Sequence, residues 1–311
     1  MAAFDTDRLA QQAADVIERG SRSFAVATRL FEPAMRRDVM LLYTWCRHCD
    51  DLTDGQQLGH GNITTASTEM LEQLRAKSLA ALAGEPSDEL PYLALADLCR
   101  RHPIKRSLVE AHLRGFELDV VGWQPQTLDD TVRYCYHTAG TVGIMMANLM
   151  DIHDTATLYR ASDLGIGFQL TNIARDVVED AAVGRCYLPG QWRQAAGLEI
   201  ADLRDPAHHE QLFGLVRRLI DEAEPYYQSA AVGLRALPRR AAWAVATARA
   251  VYRDIGHKLV RRGPDALGER TVTGASRKAW RVMAALPTAL APRRRDSVRS
   301  RTELWTPPEI A

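Results

Sequence analysis

Apolar residues recur along most of the chain at intervals of three and four, and runs that alternate polar and apolar residues are scarce. The first spacing places apolar side chains on one face of an α-helix, whereas alternation is typical of a half-buried strand. The pattern therefore predicts an all-α fold. The predicted helices cover about 33–54, 68–83, 91–101, 105–122, 128–150, 156–182, 206–235 and 238–262.

Several helix ends carry local signals. Pro33 and Pro238 stand where a helix is expected to begin, a place that tolerates proline because the first amides have no partner within the helix. Thr127, with Asp130 three residues later, is a predicted N-cap. The segment "GRCYLPG" at 184–190 contains two glycines and a proline, and it predicts a turn.

Composition narrows the functional classes. The 311 residues are 46% hydrophobic and 25% charged, as in ordinary globular proteins, and the formal net charge of zero gives no basic field for nucleic acid. The first residues, "MAAFDTDRLAQQ", lack the apolar core of a secretory signal. Five scattered cysteines suggest reduced thiols. We therefore expect a cytoplasmic protein that binds no nucleic acid.

The C-terminal end differs from the rest in composition. We divide the chain into a helical domain over 1–290 and an Arg/Pro-rich tail over 291–311, which predicts a solvated, poorly ordered segment. Its arginines would also suit contact with anionic lipid, which would make the protein peripheral to the inner membrane.

The stretch "YTWCRHCDDLTD" at 43–54 permits two interpretations, of which the first is a thiol site. A redox Cys-x-x-Cys lies at a helix N-terminus, where the dipole lowers the thiol pKa, but Cys46 and Cys49 come late in a predicted helix. No second Cys/His pair with zinc-ligand spacing is evident in the sequence. We therefore expect inert thiols, with a redox or zinc protein as the less favoured alternative.

The second interpretation rests on aspartates that recur in two predicted helices. The first acidic stripe consists of Tyr43, Arg47, Asp50 and Asp54. The second acidic stripe consists of Gln169, Asn172, Asp176 and Asp180. At about 100° per residue, the side chains of each stripe fall within an arc of roughly 60° to 80° on one helix face.

The residue types of the two stripes suit a bound cation. Either pair of acids alone is commonly solvated, because like charges four residues apart cost only a few tenths of a kcal/mol on an exposed helix. Buried acids need a positive partner. Mg²⁺ prefers a few carboxylates together with substrate phosphate oxygens. The two stripes therefore predict facing acidic helices that bind Mg²⁺ and a diphosphate.

These motifs carry a family resemblance. "YTWCRHCDDLTD" and "GFQLTNIARDVVEDAAVGRCYLP" resemble the two aspartate-rich motifs of the squalene and phytoene synthase family, the head-to-head prenyl synthases. "RYCYH" and "AEPYY" add to the likeness, which covers about 15–285 and is closest to bacterial phytoene-forming members. It implies one all-α catalytic domain around a central cavity. It also implies condensation of two geranylgeranyl diphosphates, through prephytoene diphosphate, to 15-cis-phytoene in carotenoid biosynthesis.

The resemblance implies roles residue by residue. The expected ligands of Mg²⁺, or of Mn²⁺ as its substitute, are Asp50, Asp51, Asp54, Asn172, Asp176 and Asp180. The expected diphosphate-binding residues are Ser21, Arg22, Ser23, Tyr43, Arg47, Gln169, Asn172, Arg175 and Tyr252. Tyr134 is expected near the reacting carbons and Asp119 along the site, so that the catalytic set is Asp50, Asp54, Asp176, Asp180 and Tyr134. Arg277 and Lys278 fall near a phosphate-contacting region, but their segment aligns loosely.

Several alternatives stay open. No Gly-rich nucleotide-binding loop is visible, so no nicotinamide cofactor is expected. A relative that makes squalene or dehydrosqualene from farnesyl diphosphate would differ in cavity depth, and a catalytically silent helical partner of related carotenoid enzymes would not need the aspartates. The small residues Ala139, Gly143 and Ala147 would either leave room for a prenyl chain or let two helices pack closely.

Overall fold

The computed structural model describes residues 6–20, 28–54, 67–268, 282, 284–287, 301 and 304–308, and these residues contain helices and no strand. The all-α prediction is confirmed. The α-helices are α1 (Thr6–Gly20), α2 (Pro33–Asp54), α3 (Thr68–Ala83), α4 (Leu90–Arg101), α5 (Arg106–Val120), α6 (Leu128–Cys135), α7 (Thr141–Leu149), α8 (Thr155–Ala182), α9 (Gly190–Ala195), α10 (His209–Gly233) and α11 (Arg239–Arg262).

The predicted helix positions agree with these bounds to within about three residues, as expected for frayed helix ends. The N-cap prediction is confirmed as a full capping box: the Asp130 amide donates to Thr127 Oγ1 at 3.1 Å, and the Thr127 amide donates to Asp130 Oδ2 at 2.9 Å. The helices α1 and α9 were not predicted; at α9 the turn signals at 184–190 continue directly into the helix.

The predicted helix over 128–150 contains one irregular turn. A π-helical turn, Tyr136–Gly140, separates α6 from α7 while the chain continues in the same direction. A π-helical turn carries an extra residue relative to an α-helical turn and is frequent at functional sites. The apolar spacing gave no sign of it.

The helices α7 and α8 touch backbone to backbone. A Cβ atom on Gly143 of α7 would lie 2.2 Å from the carbonyl oxygen of Ala161, and one on Gly165 of α8 would lie 2.2 Å from that of Ala139. Any larger side chain at either glycine would collide with the opposite main chain. These two glycines therefore fix how closely α8 lies against the preceding helix.

Buried apolar side chains form two clusters among the described residues. The larger one involves helices from α1 to α11, and the smaller one is built around Phe31, Val39, Met150 and Leu234. An apolar cavity lies between them, because residues of both clusters line it. No described helix is long and apolar enough to cross a bilayer.

The C-terminal residues that the structure describes pack against the helices. The side chain of Arg301 is 13% exposed, and Leu304 and Trp305 lie against the larger cluster. The prediction of a solvated tail over 291–311 is wrong for these residues. Arg301 donates hydrogen bonds to the buried carboxylate of Asp163, and the ring of Trp305 packs against that of Tyr136. The remaining tail residues lie outside the described part of the chain.

Candidate active site

The cavity has a volume of about 290 Å³ and walls from α2, the π-helical turn, α7, α8, α10 and α11. Its lining is almost entirely apolar. Ala139, Gly143 and Ala147 all line it, while Gly143 also meets the main chain of α8. Both alternatives for the small-residue stripe are therefore correct, since it leaves space on one side and allows close packing on the other.

The first acidic stripe lies on the last turns of α2. Arg47 pairs with Asp50 (Nη1 to Oδ2, 3.0 Å) and with Asp51 (Nη2 to Oδ1, 2.7 Å). Tyr43, one turn earlier, lines the cavity, and burial raises its pKa to about 12. Asp54 ends the helix, and its side chain lies outside the described residues.

The second acidic stripe lies on the C-terminal half of α8. Arg175 Nε donates to Asp176 Oδ1 at 2.7 Å, and its Nη2 makes a second contact to Oδ2 of the same carboxylate. The side-chain amide of Asn172 donates to Gln169 Oε1 at 3.4 Å. The buried Oδ1 atom of Asn172 has no hydrogen-bond partner among the described residues.

Negative charge is crowded at the end of this stripe. The pKa of Asp180 is raised to about 7, first by burial and then by the charge of Asp176, with Asp119 and Glu179 adding smaller effects and Arg185 opposing them. A carboxyl group whose pKa is raised by burial and by neighbouring carboxylates is one that a bound cation would stabilise in its ionised form.

Asp119 of α5 is the acceptor for two tyrosines. Tyr134 donates to Oδ2 at 3.1 Å and Tyr187 donates to Oδ1 at 2.7 Å, and their rings stack with centroids 4.5 Å apart. Burial raises the pKa of both hydroxyls above the usual range, so both remain protonated donors. Tyr187 was not among the predicted site residues, although it lies in the quoted "CYLP" motif.

The two stripes continue from the walls of one cavity. Cys46 of α2 and Leu164 and Phe168 of α8 line the cavity. Tyr43, which also lines the cavity, lies one turn before Arg47 on α2, and Phe168 lies one turn before Asn172 on α8. The apolar cavity and the polar stripes thus occupy successive turns of the same helices.

A third helix, α11, lines the cavity through Ala244, Val245 and Ala248. Tyr252 of α11 stacks on Phe168, with ring centroids 4.2 Å apart. Its hydroxyl contributes to the electrostatic environment of both Tyr43 and Arg175, which lie on α2 and α8. The structure therefore brings together Tyr43, Arg175 and Tyr252, three residues that are far apart in sequence.

The donor set has the chemistry of a divalent cation site. Among the described residues no three His, Cys, Asp or Glu side chains form a ready metal cluster, and Arg47 and Arg175 neutralise the nearest carboxylates. The unpartnered oxygen of Asn172 and the raised pKa of Asp180 nevertheless fit a cation with oxygen ligands. Arg47 and Arg175 place positive charge beside the aspartates of the two stripes.

The thiols have no features of a redox site. Cys49 is buried and Cys46 is partly buried, and burial raises the pKa of both thiols well above the usual value. A raised pKa leaves little thiolate to react. The predicted positions Ser21, Arg22, Ser23, Arg277 and Lys278 lie outside the described residues.

Comparison with known proteins decides the family. The profile of the squalene/phytoene synthase family matches residues 17–282. The chain belongs to the squalene/phytoene synthase family. This confirms the resemblance carried by the two aspartate-rich motifs.

Similar proteins of this family span nearly the same length. The chain is 46% identical over 295 residues to a 15-cis-phytoene synthase of Enterobacter agglomerans, covering 94% of this chain and 100% of that protein. It is 45% identical over 303 residues to one of Pantoea ananas, covering 96% and 98%. A crystal structure of a dehydrosqualene synthase matches with a TM-score of 0.78 at 24% identity, covering 90% of this chain and 96% of that one, which shows the shared fold.

Proposed function

We propose that this chain is a 15-cis-phytoene synthase. It joins two molecules of geranylgeranyl diphosphate head to head through prephytoene diphosphate. The observation that carries the proposal is the apolar cavity whose α2 and α8 walls continue directly into the two acidic stripes. An amphiphile with a long hydrocarbon chain and a diphosphate head matches that arrangement.

The reaction needs no oxidant or reductant. In the first half, the C1–O bond of one substrate breaks and its electron pair leaves with diphosphate. The double bond of the second substrate then attacks C1, and loss of a proton closes a cyclopropane ring. In the second half, the remaining diphosphate leaves, the carbon skeleton rearranges, and loss of another proton gives the central double bond.

The residues around the cavity would assist the reaction in two ways: polar side chains would stabilise the departing diphosphate, and apolar side chains would exclude water. Arg47, Arg175 and Tyr43 would donate hydrogen bonds to the oxygens of the departing diphosphate, where negative charge develops. The apolar walls would keep water from the carbocation. Asp119 would hold the Tyr134 hydroxyl at a fixed position beside the site.

The carboxylates and the Asn172 amide would hold Mg²⁺, or Mn²⁺ in its place. The proposed ligands are Asp50, Asp51, Asp54, Asn172, Asp176 and Asp180. Bound there, the metal would neutralise diphosphate and stabilise it as a leaving group. Gln169 and Tyr252 would complete the diphosphate-binding surface, and Ser21, Arg22 and Ser23 would bind diphosphate oxygens, as the family resemblance implies.

The test is product identification with matched variants. Purified protein with Mg²⁺ and geranylgeranyl diphosphate should give phytoene, and chelation of the metal should stop the reaction. Asp50→Asn and Asp176→Asn should each lower the rate by about 10²–10³, because each removes one electrostatic contact made in the transition state. Cys46→Ser, on the same helix as Asp50, should cost far less.

Two outcomes would contradict the proposal. Parent-rate conversion by both aspartate variants would reject the stripes as the site. A C30 hydrocarbon from farnesyl diphosphate, with no turnover of geranylgeranyl diphosphate, would assign a squalene or dehydrosqualene synthase activity instead.

We also propose peripheral contact with the cytoplasmic face of the inner membrane, because both substrate and product are lipids. Co-sedimentation with anionic vesicles tests this, and recovery of all the protein in the supernatant would contradict it.

A further inference from the structure

A buried carboxylate of α8 is paired with a residue close to the end of the chain. The side chain of Asp163 is 0% exposed. Arg301 donates to both of its oxygens, from Nε to Oδ2 at 2.8 Å and from Nη2 to Oδ1 at 2.6 Å, and Ser229 Oγ donates to Oδ2 at 2.5 Å. A fully buried carboxylate needs such a counter-ion, since removal of one partner of a buried pair leaves an uncompensated charge.

The residues around Arg301 contact three parts of the helical fold. We call Arg301 and residues 304–308 the C-terminal strap. Its Trp305 ring lies 4.9 Å from the ring of Tyr136 in the π-helical turn, and the Trp305 backbone hydrogen-bonds to Tyr226 of α10. Arg301 joins the strap to α8. The strap thus contacts three elements that form the cavity wall: the π-helical turn, α8 and α10.

The contacts of Arg301 with Asp163 and Ser229 lie next to the part of the cavity wall that is farthest from the acidic stripes. Arg160 and Ala161 of α8 and Ala230 and Gly233 of α10 line the cavity, and all are within four residues of Asp163 or Ser229. At 1.5 Å per residue, Arg160 lies about 24 Å along α8 from Asp176. A substrate with its diphosphate at the stripes would direct the end of its prenyl chain to this region.

A second arginine couples the strap to the wall. Arg160 lines the cavity, its Nη1 donates to the Ser229 carbonyl at 3.3 Å, and its charge also acts on Asp163. Because Arg301 donates to both carboxylate oxygens of Asp163, Arg160 is not needed as its counter-ion and can remain in the cavity wall. Without Arg301, Asp163 would attract Arg160, and the wall would change shape.

We propose that the C-terminal strap is a specificity element: by supplying the counter-ion of Asp163, Arg301 positions the α8 and α10 walls and so sets the length of prenyl chain that the cavity accepts. Arg301 is a positioning residue, because it touches the wall helices and not the cavity. The inference rests on the proposed function for the identity of the substrate.

The decisive experiment compares two substrates on the full chain. The values of kcat and KM for geranylgeranyl and farnesyl diphosphate are measured for the parent, Arg301→Gln and Arg301→Lys. Arg301→Gln should lower the C20-to-C15 ratio of kcat/KM by about tenfold, the scale at which apolar pockets discriminate chain length. The change should lie mainly in KM for the longer substrate, and Arg301→Lys should restore part of the ratio.

Thermal unfolding of a second set of variants tests the pair itself. Asp163→Asn and Arg301→Gln should each lower Tm, and the double variant should lose less than the sum of the two, because neither group is then buried without its partner. Arg106→Gln breaks an exposed pair with Glu110 and should have little effect.

The outcomes separate this inference from the proposed function. An active parent together with an Arg301→Gln variant that keeps the parental C20-to-C15 ratio would overturn the strap's role in specificity. Additive losses of Tm in the double variant would also overturn it. A parent inactive on both substrates would refute the proposed function first, and the specificity inference with it.

Discussion

The close contact of α7 with α8 allows a quantitative prediction. In Gly143→Ala the new Cβ atom would lie 2.2 Å from the Ala161 carbonyl oxygen, whereas Cβ contacts below 3.0 Å essentially never occur, so the two helices must separate locally by at least 0.8 Å. Overpacking of this kind typically costs about 1–3 kcal/mol. At an unfolding entropy of about 2.1 cal/mol/K per residue, that corresponds to a fall in Tm of roughly 2–5 °C.

The same displacement should affect the reaction. The second acidic stripe lies on α8, and a shift of about 1 Å in a site can cost on the order of 10²-fold in rate. We therefore expect Gly143→Ala to lower both Tm and kcat. The assay is thermal unfolding followed by circular dichroism, together with phytoene formation measured well below Tm.

A matched control lies in α10. A Cβ atom on Gly214 would have nothing within 4 Å, so Gly214→Ala changes helix propensity without a collision. It should raise stability by about 1 kcal/mol, since alanine is favoured over glycine inside a helix. A Gly143→Ala protein with the Tm and kcat of the Gly214→Ala protein would refute the close helix contact.

Three further predictions concern the thiols, the tyrosine pair and a buried histidine. Cys46→Ser combined with Cys49→Ser should retain most activity, and loss of activity with the fold intact, or stoichiometric zinc in the parent, would contradict inert thiols. Tyr187→Phe removes the 2.7 Å hydrogen bond from Tyr187 to Asp119 Oδ1 and should cost about 1.5–3 kcal/mol in a urea titration, because a hydrogen bond to a charged acceptor contributes more than one between neutral groups; an unchanged midpoint would contradict this. His112 is buried, and burial lowers its pKa to about 4. As the pH is lowered from 6.5 to 4, the unfolded chain therefore takes up a proton that the folded chain does not. The free energy of unfolding should fall by up to about 3 kcal/mol over this range, and His112→Gln should reduce this pH dependence.

The sequence was most informative where a local rule determines the structure. The helix over 33–54 was predicted with its observed bounds because Pro33 suits a first helical turn. The capping box at Thr127 follows from a motif four residues long. The stripes on α2 and α8 could be placed on single faces because helical periodicity alone determines which residues share a face.

Features that depend on distant residues could not be predicted in this way. Tyr187 and Asp119 are 68 positions apart, so no local pattern joins them. An arginine in a Pro-rich tail is typical of a solvated segment, and only the tertiary structure shows that Arg301 reaches the buried Asp163. The pairing of aspartates with Arg47 and Arg175 likewise depends on side-chain conformations that the sequence does not specify.

The π-helical turn at Tyr136–Gly140 limits how the cavity can change by mutation. A substitution in α7 alters one wall position at a time. Deletion of one residue from the turn would instead rotate everything after it by about 100° relative to α6, so that Val142 and Met146, which line the cavity, would leave it together. Substitutions in α7 can therefore change the size of the cavity in small steps. A deletion in the π-helical turn would instead move all the α7 residues of the wall at once.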